Sequence, residues 1–252
     1  LLLLVSLKSS QEIEMMKRAG RVVAQILREM GDMVSPGVTT WDIDRFAESR
    51  IKDLKAVSAF KGYHGFPACV CISVNEEVVH GIPSKKRRLN EGDIVGIDFG
   101  VHVEGWYGDS ARTFAVGTVA QPVRTLLEVT EKGLLRGIEA CRVGNRIFDI
   151  GHAVQSHVEA AGFSVVREFV GHGIGRALHE DPQVPNFGAP GKGPLIKEGM
   201  VLAIEPMVNM GSHRVMVLDD GWTAVTQDRK WSAHFEHTVA VTAKGPIVLT
   251  QE

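Results

Sequence analysis

Two carboxylates, Asp98 and Asp109, lie in stretches that otherwise read as protein core. Ile94 to Phe99 is a short, nearly continuous apolar run, which predicts a strand buried on both faces with Asp98 inside it. Tyr107 to Val116 predicts a second strand carrying Asp109, and Glu104-Gly105 supplies turn chemistry between the two. The resulting hairpin brings the two acids close together. Neighbouring buried carboxylates repel each other and lose hydration, so they need a proton, a cation or a metal.

The pattern recurs. Ile196 to Met207 echoes Leu89 to Phe99, with Glu-Gly before an apolar strand in both copies, and sets Glu205 opposite Asp98. Asp109 to Val116 has a looser echo in Glu236 to Val241 that needs a two-residue gap, and His80-Gly81-Ile82 echoes His172-Gly173-Ile174. Three echoes in one order predict a duplicated half-domain whose copies face each other around a shared site. Taken singly, each acid is more often an ordinary ion-pair or turn residue. Taken with the repeat, Asp98, Asp109, His172, Glu205 and Glu236 form a candidate metal site. Their carboxylates together carry about four negative charges, which two divalent cations balance and one does not. One imidazole among oxygen donors points away from a thiolate structural zinc and towards Mn, Fe, Co or Zn in open, catalytic coordination. Such a metal pair acidifies a bridging water and clamps the attacked group, so hydrolysis is the expected reaction class. His80 and His179 suit hydrogen bonding to a carbonyl or oxyanion near neutral pH.

The elements that must position these groups follow from spacing. Ser9 and Glu12 form a capping box for an amphipathic helix through Met30, and Thr39 and Asp42 start another through Ile51. Pro122 opens a helix to Ala140, and Ile147 to Val158 marks a fourth. Ala68 to Val74, Val165 to Val170 and a last strand from Phe235 to Val241, which contains Glu236, are further expected strands. Phe60 to Pro67 is aromatic and glycine-rich, suited to a loop that presents rings to a pocket, as does Trp222 after the Asp219-Asp220-Gly221 turn.

The 252 residues, 44% hydrophobic, are expected to form one domain of two halves, with residues 1–10 an irregular leading segment. A formal charge of -2 offers no basic field for nucleic acid, and Lys85 to Arg88 reads as a solvated turn. Cys69, Cys71 and Cys141 do not form a disulfide framework, which suggests a reducing compartment; Cys69 and Cys71 read as buried residues on one strand face rather than a soft-metal pair. Leu1 to Val5 is too short for a membrane span, lacks a signal-peptide pattern and reads as a truncated or processed end. Gly171 to Arg176 fails the dinucleotide fingerprint because Arg176 replaces its third glycine. His64, His102, His152, His157, His213, His234 and His237 are read as structural.

Gly62-Tyr-His-Gly-Phe-Pro67, Val70-Cys-Ile-Ser-Val-Asn75, His80-Gly-Ile-Pro83, Gly92-Asp-Ile-Val95, Gly108-Asp109, Gly171-His-Gly-Ile-Gly-Arg176, His179-Glu180, Ile204-Glu-Pro-Met207 and Glu236-His-Thr238 together resemble a type I methionine aminopeptidase of the bacterial kind, over nearly the whole chain. The resemblance implies an α/β pita-bread fold, two pseudosymmetric halves around a dinuclear metal site. It implies Asp98 and Asp109 as bidentate ligands, His172 on one metal, Glu205 as a ligand that helps transfer protons and Glu236 as a bridge. His80 and His179 would contact the substrate backbone, and Phe60, Tyr63, Phe66, Cys71, Leu178 and Trp222 would line the methionine pocket. Phe60 stands where cysteine is common in the family, Phe66 where tyrosine is and Leu178 where an aromatic is, which alters pocket shape. The implied activity is release of the initiator methionine from nascent proteins and peptides with a small second residue, through a metal-bridging hydroxide. A cytoplasmic monomer is expected, with the ribosome a candidate partner and no membrane or nucleic-acid partner. The alternatives are a Xaa-Pro aminopeptidase or creatinase-like hydrolase, a pita-bread binding protein and a metal-dependent oxygenase.

Overall fold

The computed structural model describes residues 5–251; the first four residues of the expected irregular segment and of the Leu1 to Val5 run lie outside the described residues. Residues 5–9 are irregular and lead into α1 (Ser10–Met33), whose capping box joins Ser9 and Glu12 in both directions. Thr39 and Asp42 cap α2 (Thr40–Asp53) in the same way. Pro122 stands in the first turn of α3 (Gln121–Ala140), where its missing N–H is no loss, and α4 (Ile147–Ala160) follows.

In the first half the strands are β1 (Val57–Ser58), β2 (Cys71–Val74), β3 (Glu77–Val79), β4 (Ile94–Val103) and β5 (Trp106–Ala115). In the second half they are β6 (Ser164–Val165), β7 (Gly171–Gly173), β8 (Glu180–Val184), β9 (Val201–Ile204), β10 (Met207–Asn209), β11 (Val215–Val217), β12 (Ala224–Thr226), β13 (Ser232–His234), β14 (His237–Thr242) and β15 (Gly245–Val248). β4 and β5 form the expected hairpin; Glu104 and Gly105 both take positive φ, as a two-residue turn with the right twist requires.

The duplication is visible in the pairing. β4 lies between β2 and β5, and β9 lies between β7 and β14, all antiparallel. Each half has its own core. Val23, Ile26, Met30, Ile43 and Ile51 of α1 and α2 pack on Ile72, Val95, Ile97 and Phe99. Leu126, Leu134, Ile138, Ile150 and Val154 of α3 and α4 pack on Leu202, Ile204, Val239 and Val241. A third cluster, including Met16, Cys71, Trp106, Ile174 and Leu178, joins the halves. Each fully buried side chain of this size contributes about 1.5–3 kcal/mol, so each helix pair holds its sheet rigidly behind the site.

Register tests the three echoes. With Asp98 laid on Glu205, Ile97 falls on Ile204, and their partners are Arg112 and His237. Glu236 therefore matches Ala111, two residues beyond Asp109; a slip of two keeps both acids on one face, and it is the gap that the sequence echo needs. The His-Gly-Ile echo has no such basis. Gly96, which matches Ala203, pairs with Ser73, so the counterpart of His172 is Ser73 and not His80.

Three strand expectations change. Of Val165 to Val170, only Val165 lies in a strand; Arg167 and Glu168 are exposed, and Phe169 lines a cavity. Glu236 precedes β14, because the chain passes between two sheets there, and β15 follows as the edge strand. Cys69 lies before β2 and belongs to the first half's core, whereas Cys71 lies in the joining cluster, so the two do not share a strand face.

Candidate active site

Asp98 and Asp109 come from adjacent strands one diagonal apart: Asp98 pairs with Ala111, and Asp109 with Gly100. Glu205 follows β9, Glu236 precedes β14, and His172 is the middle residue of β7. The glycines around His172 have a steric cause. A Cβ on Gly171 would come within 2.3 Å of the Ala203 carbonyl oxygen, and one on Gly173 within 2.2 Å of that of Asp181. Only glycine lets this strand fit between β8 and β9.

All five residues line one cavity of about 460 Å³ between the halves. Asp109, His172 and Glu236 are buried, and each offers a ligand atom within 4.8 Å of the others'. Asp98 Oδ1, Asp109 Oδ1 and Glu236 Oε1 are cut off from solvent without a hydrogen-bond donor. Burial holds all four carboxyls above their ordinary range, Asp98 up to about 7, and mutual repulsion adds to the rise in Asp109, Glu205 and Glu236. Burial pushes His172 down to about 3. Its Nδ1 lies 2.9 Å from the Gly173 carbonyl oxygen, which can only accept, so Nδ1 carries the proton and Nε2 has its lone pair free. Nε2 faces Glu205 Oε1 at 3.5 Å. A lone pair opposed to a carboxylate oxygen, beside three unpartnered acid oxygens, is an arrangement that divalent cations fit.

Around this cluster lie His80 and His179, both held below their ordinary range by burial first and by another histidine second, hence neutral near pH 7. His179 Nδ1 is 2.6 Å from the Tyr63 hydroxyl, and its ring centroid is 4.2 Å from that of His172. His80 has φ +62°, a region that non-glycine residues seldom adopt, and packs edge-on against Phe169 and Trp222. Phe60, Tyr63, Phe66, Cys71, Leu178 and Trp222 all line the cavity, and give it an apolar wall beside the acidic one.

Sequence reasoning missed some of the lining. Met207, Val79, Phe169, Val170 and His64, the last read from the sequence as structural, also face the cavity. His234, likewise read as structural, is buried with Nε2 unpartnered and 4.0 Å from Glu205 Oε2. Its position two residues before Glu236, like that of Met207 two after Glu205, was the available signal, because alternate residues of an extended chain share a face. Cys71, 5% exposed, has its thiol pushed well up by burial and nearby acids, which leaves it a neutral part of the wall.

Residues 14–243 match the sequence model of metallopeptidase family M24. The chain belongs to that family. Within family M24 it is similar to a methionine aminopeptidase of Clostridium perfringens, 53% identical over 98% of this chain and 99% of that protein. Methionine aminopeptidase 1 of Bacillus subtilis is 51% identical over 97% of this chain and 98% of its own length. The crystal structure of a methionine aminopeptidase from Thermotoga maritima superposes with a TM-score of 0.97 at 48% identity, covering 99% of this chain and all of that one. The expected pita-bread fold is therefore the fold of this M24 chain, and a metallopeptidase family implies use of a divalent metal at the acidic cluster.

Proposed function

We propose that the chain is a methionine aminopeptidase that hydrolyses the N-terminal methionine from peptides and nascent proteins with a small second residue. The observation that carries this reading is the convergence of four carboxylates and His172 Nε2, with unpartnered acid oxygens, beside an apolar cavity wall of side-chain dimensions. Full-length similarity to named methionine aminopeptidases supports it.

Asp98, Asp109, His172, Glu205 and Glu236 would hold two divalent ions of the Mn, Fe, Co or Zn class, since hard oxygen donors dominate and two ions balance the charge. When bound, such a pair supplies an acidified water as nucleophile and polarises the scissile carbonyl. Glu205, facing His172 across 3.5 Å, would take a proton from the attacking water and return one to the leaving amine. Neutral His179, oriented by Tyr63, donates to the carbonyl oxygen as it becomes an oxyanion, and His80 contacts the substrate backbone. Phe60, Tyr63, Phe66, Cys71, Leu178 and Trp222 receive the methionine thioether, a soft apolar group that suits an aromatic wall. The whole chain would act as one catalytic domain, because the cavity takes its walls from both halves.

Among the described residues no helix is long and apolar enough to cross a membrane. A cytoplasmic monomer is the working assignment, with the ribosome a candidate partner because nascent chains present the substrate terminus. Release of methionine from Met-Ala-Ser and Met-Leu-Ser peptides, by metal-free protein and after addition of Co, Mn, Fe or Zn, tests the proposal. Metal-dependent cleavage of the first peptide alone is expected. No cleavage of either by metal-loaded protein would overturn it.

A further inference from the structure

The loop that carries Leu178 and His179 is held from an unexpected direction. Glu180 uses both carboxylate oxygens: Oε1 accepts from the backbone N–H groups of Arg176, at 2.7 Å, and Ala177, at 3.1 Å, which closes a tight turn across residues 176–180. Oε2 accepts from Lys8 Nζ at 2.5 Å. Lys8 lies in the irregular segment before α1, yet it is only 6% exposed, and its ammonium also donates to the Ser6 carbonyl. Its backbone N–H donates to the Gly199 carbonyl, 2.7 Å away, just before the strand that leads to Glu205. Gly175 has no space for a side chain, since a Cβ there would come within 2.5 Å of Lys8 Cε.

We propose that residues 5–9 form a strap that sets the place of His179, with Lys8 as a positioning residue acting through Glu180; this rests on the peptidase reading above. The reasoning is energetic and geometric. A buried ion pair is costly to break from one side, because the carboxylate left behind is uncompensated. Glu180 would then turn towards solvent, and the turn that it closes would loosen. His179 sits one residue away at the cavity mouth, where it meets the Tyr63 hydroxyl and the ring of His172. A shift of about 1 Å in such a group costs up to about 10²-fold in rate. Asp98, Asp109, Glu205 and Glu236 come from other strands, and His172 on β7 meets β8 through the backbone pairs Gly171–Val184, His172–Gln183 and Gly173–Glu180, which Lys8→Met leaves in place.

The test is a cycle between Lys8→Met and His179→Ala, assayed for methionine release from Met-Ala-Ser with Mn loaded, together with Mn affinity by calorimetry. Lys8→Met is expected to lower kcat about tenfold with KM and Mn affinity within about twofold of wild type. In the His179→Ala background the same substitution is expected to change kcat less than about twofold, because the residue it positions is gone. Equal losses in both backgrounds, or none in either, would overturn the strap. If Lys8→Met does not fold, Lys8→Met with Glu180→Gln removes both charges while the amide oxygen still accepts from Arg176 and Ala177, and the same criterion applies. A wild-type chain that releases no methionine would overturn the functional reading; an active wild type with unaffected variants would overturn the strap alone.

Discussion

Glu205 and Glu236 stand opposite each other where two paired strands change sheets together. Ile204 pairs with His237 on one side of the break and Met207 with His234 on the other, so the two acids face across the gap in register. The Phe235 N–H still donates to the Pro206 carbonyl, at 3.3 Å, which holds the break closed behind them. Within the break, neither acid's backbone joins the ladder that the flanking residues form. Both side chains are free to meet Asp98 and Asp109 from the other half.

Charge repulsion among these acids predicts opposite effects of one substitution. Glu236→Gln removes a charge with little change of shape, so the metal-free chain should melt at a higher temperature while divalent-ion affinity falls by about 10²-fold or more. Differential scanning calorimetry and titration calorimetry with Mn measure the two. A variant with unaltered Mn affinity would remove Glu236 from the site.

His179 should separate catalysis from metal binding. His179→Ala is expected to lower kcat by about 10²–10³-fold, the usual cost of losing an oxyanion donor, and to keep its metal content. Elemental analysis alongside steady-state kinetics decides. Loss of metal in proportion to activity would assign His179 to the ion site instead.

Stability of the metal-free chain should depend on pH in two opposed ways. The four carboxyls have folded values above their unfolded ones, so their contribution is full below about pH 4 and is lost as pH rises through about 7 and beyond. Burial pushes His172 and His234 down to about 3, so their contribution is full above about 6.5 and is lost as pH falls towards 3. Cations bind the ionised acids and neutral His172, so the rise in melting temperature on adding Mn should grow between about pH 5 and pH 8. A gain independent of pH would contradict this account.

The two halves are stitched at the site by hydroxyls. Thr238 Oγ1 donates to the Asp109 carbonyl at 2.7 Å and accepts from the Asp109 N–H at 3.1 Å, while Ser110 Oγ donates to the Glu236 carbonyl at 2.6 Å. Thr238→Val leaves two buried backbone groups without partners and should destabilise by about 1–3 kcal/mol, with weaker metal binding because Asp109 loses its anchor. Thr238→Ser should restore both. Urea unfolding of the two variants, read beside their Mn affinities, tests whether the seam positions the ligand or only holds the fold.

Much of this was legible from residue types and spacing. Asp98 announces itself because a carboxylate in an unbroken apolar run has no ordinary partner, and the capping boxes at Ser9 and Thr39 place the first two helices from four residues each. The Glu-Gly repeat carries the two-half architecture, since equal strand patterns bury equal faces. Register was beyond reach: that His172 answers to Ser73 rather than His80 follows from which carbonyl meets which N–H, and a three-residue echo does not encode it. So was the break that frees Glu205 and Glu236, because each strand's choice of sheet depends on partners far away in the chain. His234 beside Glu205 and Lys8 under the His179 loop are long-range contacts between residues whose local surroundings look ordinary. The sequence alone determined which groups were available for chemistry. Tertiary structure decided which of them meet, because distance, desolvation and repulsion exist only between side chains that the fold has brought together.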